Sequence, residues 1–270
     1  MKKYPFLRAF RLASLIFGLA QNALAHDGWI EISPWIAEKG QPVTVALMHG
    51  NHSNEHRSFR LAGKWDPTYT RLQLFDPSGK QMDLSNQLID LGEDPEKTGP
   101  KGPKGFHIAS FTAKEEGVYT LLARQERVVT EEQTGAKLRS IRTARGTFAA
   151  LAVPTVREAK KLKSPNQFLG GDDNLEIVPL AGLLGLTSEE LVTLEVRFKG
   201  KPAPGRVVSV IRKTGGATSA QDFTTDDQGR IRFIAGPADF YLSRVKFDEA
   251  GERDKSTYEA TYVFQVFNRP

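Results

Sequence analysis

The stretch "LVTLEVRFKGKPAPGRVVSVIRK", residues 191–213, decides the fold. Val192, Leu194, Val196 and Phe198 recur at every second position, the period that sends one set of side chains to one face of a strand. Gly200 to Gly205 carries two glycines and two prolines and reads as a turn. A second β-branched run follows from Val207 to Ile211. Short strands between turn residues are the signature of an all-β chain.

The same grammar extends in both directions. "FTTDDQGRIRFIAGPADFYLSRVKF" (223–247) reads as strand, Asp-Asp-Gln-Gly turn, strand, Gly-Pro turn and strand, and "STYEATYVFQVF" (256–267) closes the set. Upstream, "PVTVALMHG" (42–50) puts Val43, Val45, Leu47 and His49 on one face. "YTRLQLFDPSGK" (69–80) puts Leu72 and Leu74 together before an Asp-Pro-Ser-Gly turn. "FHIASFTAKEEGVYTLLARQE" (106–126) gives two strands around a polar turn, and "GTFAALAV" (146–153) a last one. Tyr119, just past Gly117, resembles the corner tyrosine of immunoglobulin-like sandwiches. "TVREAKKLKSP" (155–165) switches to a short charged helical pattern ended by proline. With no long helix and no repeat, the expectation is an all-β chain of two tandem antiparallel β-sandwich domains, the first immunoglobulin-like (26–154), the second prealbumin-like (166–270), joined by a linker at 155–165.

Residues 1–25 read as a secretory signal. Lys2, Lys3, Arg8 and Arg11 precede an apolar core from Leu12 to Ala20, and Ala23-Leu24-Ala25 forms a small-residue cleavage site. That core is about half of the ~20 residues a membrane-spanning helix needs. Four of the 37 basic residues and none of the 32 acidic ones lie in this segment, so removing it takes the net charge from +5 to +1. The basic character belongs to the export signal, and no inference toward nucleic acid or anionic membrane survives. The chain has no cysteine, which excludes disulfides, thiolate chemistry and a lipid-modified cysteine anchor. The expected localisation is periplasmic, without stable membrane insertion after cleavage.

The motifs "LEIVPL", "VTLEVRFKGKPAPGRVVSV", "FTTDDQGRIRF", "AGPADFYL" and "YEATYVFQV" resemble, in order, the second half of a bacterial periplasmic family of unknown function linked to nickel and cobalt uptake. "AHDGWIE", "QPVTVALMHGNH" and "GVYTLLA" resemble its first half. The resemblance implies a metal-uptake accessory whose partner is a membrane metal-uptake transporter. The second half is also similar to prealbumin-like and carboxypeptidase-regulatory modules, which share a layout without sharing a function.

Histidine placement adds chemistry. All five histidines, His26, His49, His52, His56 and His107, lie in the first half. Cleavage after Ala25 makes His26 the first residue, whose α-amine and ring Nδ1 can chelate one ion. One more imidazole completes an arrangement that resembles the histidine brace of periplasmic copper chaperones and lytic polysaccharide monooxygenases. His52, past the strand end, is the leading second ligand and matches a glycine-histidine position of the nickel-linked family. His49 lies on the apolar strand face and serves equally well as a hydrogen-bonded structural histidine. His56 sits in a polar stretch, and the parity of Ala109 and Phe111 sets the side of His107. Asp27, Glu31 and Glu55 are the nearest carboxylates in sequence. Nitrogen and oxygen donors suit Ni(II), Co(II), Cu(II) or Zn(II), and affinity order alone favours copper.

No G-x-S-x-G, H-E-x-x-H, P-loop or Rossmann fingerprint is present, so binding is the expectation and catalysis is not. The leading function is divalent-metal (nickel or cobalt) binding. A copper chaperone or copper oxygenase is the first alternative, with Trp29, Trp35 and Trp65 the only candidates for a substrate surface. A non-metal adhesion or scaffold protein is the second.

Overall fold

The computed structural model describes residues 27–51, 60–93, 103–131, 134–163, 169, 171, 173–181, 183–214, 217–251 and 254–269. Their regular structure is almost wholly strand, as the alternating sequence requires. Sheet A contains β1 (Asp27–Ser33), β3 (Pro42–Asn51), β8 (Phe106–Thr112) and β7 (Ile89–Asp90) in that order, with β4 (Arg60–Leu61) beside β3. Sheet B runs β15 (Ala217–Thr224), β14 (Val207–Thr214), β17 (Asp239–Ala250), β18 (Lys255–Val266), β10 (Lys137–Leu151), β9 (Gly117–Thr130), β5 (Thr70–Phe75), β6 (Gln81–Asp83), and β2 (Ile36–Glu38) also pairs with β10. Sheet C groups β11 (Leu175–Pro179), β12 (Leu191–Phe198), β13 (Lys201–Pro202) and β16 (Arg230–Ile234).

The opening motif folds as its alternation demands. Val192, Leu194 and Val196 are buried in β12, but the glycine-proline segment carries the chain from sheet C across to β14 in sheet B, so the two runs pair with other strands and not with each other. Sequence stretches on either side of residues 155–165 do not form separate sheets, however. β10 and β18 pair in parallel from Leu138↔Lys255 to Gly146↔Val263, so sheet B is continuous through both halves of the chain. A parallel pair needs a long crossover connection, and here everything from β11 to β17 supplies it. The segment read as a linker holds one short helix, α1 (Val156–Ala159), whose N–H at Glu158 donates to the Thr155 hydroxyl.

Alternation along the shared sheet sends its side chains into two cores. Val210, Tyr241, Tyr262 and Phe264 pack with Leu175, Val192 and Leu194 of sheet C. Their neighbours Ile211, Leu242 and Val263 point the opposite way and join Trp29, Ile30 and Leu47 of sheet A. Sheets A and C therefore cover opposite faces of sheet B, staggered along it, in two sandwiches with a common middle sheet.

Tyrosine corners secure both sandwiches. The Tyr119 hydroxyl donates to the Glu115 carbonyl at 3.0 Å and accepts from the Glu115 N–H at 2.9 Å, and its ring stacks on Phe148 at 5.0 Å. The second half has a counterpart that the sequence reading passed over: the Tyr241 hydroxyl donates to the Pro237 carbonyl at 2.9 Å. Tyr119→Phe should lower the unfolding free energy by about 1 to 2 kcal/mol, because one hydroxyl serves both Glu115 backbone groups. Urea denaturation checks this, and an unchanged midpoint contradicts it.

β1 is the joint between the halves. The Gly28 N–H donates to Glu259 Oε1 of β18 at 2.6 Å, and Thr261 Oγ1 donates to the Gly28 carbonyl at 2.8 Å. A side chain at residue 28 would place its Cβ 2.2 Å from Arg142 Cδ and 2.7 Å from Trp65 Cζ2, so only glycine lets the strand lie this close. Asp27 is fully buried and pairs with Arg244 at 2.9 Å and with Lys246, both on β17. Asp27, one of the carboxylates nearest His26 in sequence, is thus an interior counter-ion linking the N-terminal strand to the second half.

Candidate metal centre

The two histidines among the described residues come together at one end of sheet A. β3 and β8 pair with Leu47 opposite His107 and Met48 opposite Phe106. His49 is two residues beyond Leu47, so His49 and His107 lie diagonally on the same, core-facing side of adjacent strands. That is the side on which strand parity put them. On the far side of β8, Asp90 of β7 is directly opposite His107.

His107 is buried, at 2% exposure, and among the described residues neither ring nitrogen has a hydrogen-bond partner. Its Nε2 lies 3.8 Å from Asp90 Oδ2, beyond hydrogen-bond reach but close enough for electrostatic attraction. Burial pushes the imidazolium below its ordinary range, and Lys64 adds to this, against the opposing pull of Asp90 and Asp66. His107 is accordingly neutral near pH 7, the form that offers a lone pair to a metal. For Asp90, burial works to raise its pKa, but Lys64, the Gly92 N–H and His107 together hold the carboxyl below the usual carboxylate range. The Asp90 carboxylate is 46% exposed.

The walls are backbone and lysine. His49 Nδ1 faces Gly63, where an added Cβ would fall 2.6 Å from the ring nitrogen. The Ala62 N–H donates to the His49 carbonyl at 3.0 Å, and the Gly105 N–H to the Gly63 carbonyl at 3.2 Å. These two bonds hold the 62–63 segment over the strand end. Gly63→Ala should displace the His49 ring and destabilise the fold by about 1 to 3 kcal/mol, as overpacking of a filled site does. A shifted His49 ring resonance with a lowered melting temperature is the expected result, and an unperturbed resonance contradicts it.

Of the remaining residues proposed as ligands, His26, His52 and His56 lie outside the described residues, as does Glu55. Glu31 is engaged elsewhere, accepting from Trp29 Nε1 at 3.1 Å and facing Lys213 at 3.5 Å. Asp90 and Lys64 were not singled out in the sequence. They reach His107 from β7 and from the segment after β4, and no local spacing relates them to it. Among the described residues no group of three or more His, Asp or Glu side chains is gathered for a metal. What they provide is a neutral, unsatisfied imidazole beside a carboxylate. That pair fits the nitrogen and oxygen preferences of a divalent transition ion but is incomplete by itself.

Trp29 and Trp65 are fully buried, with the Trp65 Nε1 donating to the Met48 carbonyl at 2.7 Å. Trp35 packs against the core and meets Phe240 with ring centroids 6.2 Å apart. Trp29 and Trp65 are therefore interior core residues, and Trp35 is partly buried at the edge of that core. Among the described residues no helix is long and apolar enough to cross a membrane.

Fold and site thus define a β-sandwich protein with a histidine-bearing sheet end and no catalytic family indicated. The profile of the domain of unknown function DUF4198 matches residues 23–249, and the chain belongs to that family. No curated protein matches the sequence. Solved structures similar to it include a tetra-tandem repeat from the extending region of a large adhesion protein (11% identity, TM-score 0.22), covering 89% of this chain and 50% of that one. The chain thus spans half the length of that structure. Others are a two-domain fibronectin type III segment of chicken tenascin (15% identity, 89% and 99% covered, TM-score 0.22) and the ectodomain of mouse nectin-like molecule 4 (8%, 90% and 65%, TM-score 0.23). At those TM-scores the likenesses carry no argument about function, adhesion included. The family match brings no metal with it.

Proposed function

We propose that this chain is a periplasmic divalent transition-metal binding protein, an accessory to nickel or cobalt uptake that hands its ion to a membrane transporter. The observation that carries the reading is His107. A buried neutral imidazole with both nitrogens unsatisfied normally costs stability, so its retention beside Asp90 calls for a ligand. Further donors are close at hand in sequence. His26 directly precedes Asp27, which pairs with Gly50, and His52 directly follows Asn51, the last residue of β3. In this reading His26 contributes its α-amine and imidazole, His52 a further imidazole, His49 and His107 complete or orient the set, and His56 closes over it.

The test is to purify the exported form from its natural compartment, verify the first residue by mass, and measure bound nickel, cobalt and copper. A protein beginning at His26 with stoichiometric nickel or cobalt supports the proposal. Copper alone transfers it to the brace chemistry of copper proteins, and absence of all three overturns it. Adding one residue before His26 removes the amine chelate and should weaken binding at least about tenfold, or roughly 1.4 kcal/mol. Equal affinity of the native and extended forms eliminates the terminal ligand.

A further inference from the structure

Lys64 occupies the position that a cation at this site would take. Its Nζ donates to Asp90 Oδ2 at 2.5 Å and to the Glu93 carbonyl at 3.2 Å. The same Asp90 oxygen lies 3.8 Å from His107 Nε2, while Oδ1 accepts the Gly92 N–H at 2.8 Å. Carboxylate and carbonyl thus hold an ammonium whose side chain is packed to 9% exposure, and the His107 imidazole lies on the same carboxylate oxygen, which belongs to a side chain 46% exposed. Oxygen and nitrogen donors converging on one positive centre are what a divalent ion needs. A lysine placed there is a tethered monovalent substitute.

We propose that Lys64 is a built-in competitor for the metal: the ion binds Asp90 and His107 only as the ammonium swings out, and the returning ammonium helps expel it. The inference rests on the metal-binding reading above and adds its regulation. An ammonium and a divalent ion held at the same Asp90 oxygen repel each other, so each weakens the other's hold on it. The occupied state is therefore penalised by the lost ion pair and by repulsion from a lysine still anchored close by. Affinity is lowered and release accelerated, which suits a carrier that gives its ion away and not a store that retains it. Such a device leaves the empty protein ordered, because the Asp90 charge is answered in both states.

The experiment compares the full mature chain with its K64M, K64R and D90N variants, titrated with Ni(II), Co(II) and Cu(II) salts by calorimetry. Lys64→Met keeps the packed stem and removes the charge. It should raise affinity at least tenfold and slow dissociation to a chelator, whereas Lys64→Arg stays near the parent. Asp90→Asn should lower affinity in the parent and in K64M alike. Binding by K64M with none by the parent supports the competitor in its strongest form. Unchanged or weaker binding by K64M, with the parent still binding, overturns the competitor and leaves the metal reading intact. No metal bound by any of the proteins overturns both. Equal melting temperatures of parent and K64R, with K64M folded by circular dichroism, separate a charge effect from loss of structure.

Discussion

Glu176→Ala is expected to lower the unfolding free energy by about 3 to 5 kcal/mol, the range for leaving one member of a buried ion pair uncompensated. Glu176 on β11 and Arg145 on β10 are each 1% exposed, with Nη1 and Oε2 3.2 Å apart. Burial drives the Glu176 carboxyl above its usual range and the Arg145 guanidinium below its own, and each is pulled back by the charge of the other. The Leu169 N–H also donates to Glu176 Oε2 at 3.2 Å. Removing the carboxylate takes away the buried negative charge that faces Arg145 between sheets B and C. For a chain of this size the loss corresponds to a fall in melting temperature of roughly 10 °C. The double variant Arg145→Met with Glu176→Leu should recover most of it, since matched apolar side chains often replace such a pair at little cost. A Glu176→Ala protein that melts with the parent would mean that water or a rearranged carboxylate already answers Arg145.

That pair also shows where reading a sequence stops. Alternation, turns and the Gly-x-Tyr corner are local, and alternation is enough to assign faces to β3, β5, β8 and β12. The pairing of β10 with β18 is not local. Leu138 meets Lys255 across the whole second half, and both strands look like ordinary strands of whichever half contains them. Reading the chain as two units at residues 155–165 therefore does not reach the sheet that runs through both halves, nor the cores to which both contribute. An isolated piece from residue 166 would expose the β18 edge and leave Glu176 without Arg145, so its independent folding is not to be assumed. Buried charges were hidden for a related reason. Arg145 sits in "RTARGTF" and Asp27 in "AHDGW", and nothing in either string distinguishes an interior ion from a surface one. Tyr241 lies in "GPADFY", four residues after the proline whose carbonyl it binds, but Asp239 stands two residues before it, so the Gly-x-Tyr spacing that marks Tyr119 does not reach it.

At the candidate site, parity put His49 and His107 on one side, because both lie on strands whose apolar neighbours fix the face. Asp90 and Lys64 could not be found that way. Asp90 belongs to a two-residue strand with no periodicity, and Lys64 to a segment positioned by backbone bonds to His49 and Gly105. Sequence proximity named Asp27 and Glu31 as the carboxylates, yet three-dimensional proximity assigns them to cations of the second half.

His107→Ala should weaken Ni(II) or Co(II) binding by about a hundredfold, equivalent to roughly 2.7 kcal/mol, if the proposed function holds. The pH dependence gives the experiment its discrimination. A metal takes its nitrogen ligands by displacing their protons, so affinity should decline gently below pH 8, where the α-amine of His26 begins to hold a proton, and steeply below about 6.5 as ordinary imidazoles do. His107 differs in where its proton competes. Burial lowers its pKa, so it adds less proton competition between pH 8 and 6.5 than an ordinary imidazole does. His107→Ala should then lower the affinity curve by nearly the same factor throughout that interval with little change in its slope. His52→Ala should both weaken binding and flatten the limb below 6.5 by about one proton. Were carboxylates the principal ligands, binding would persist to about pH 5, because their own pKa values lie near 4. A curve that stays flat from pH 8 to 5, or a His107→Ala protein that binds like the parent, would return His107 to the role of an unsatisfied structural histidine.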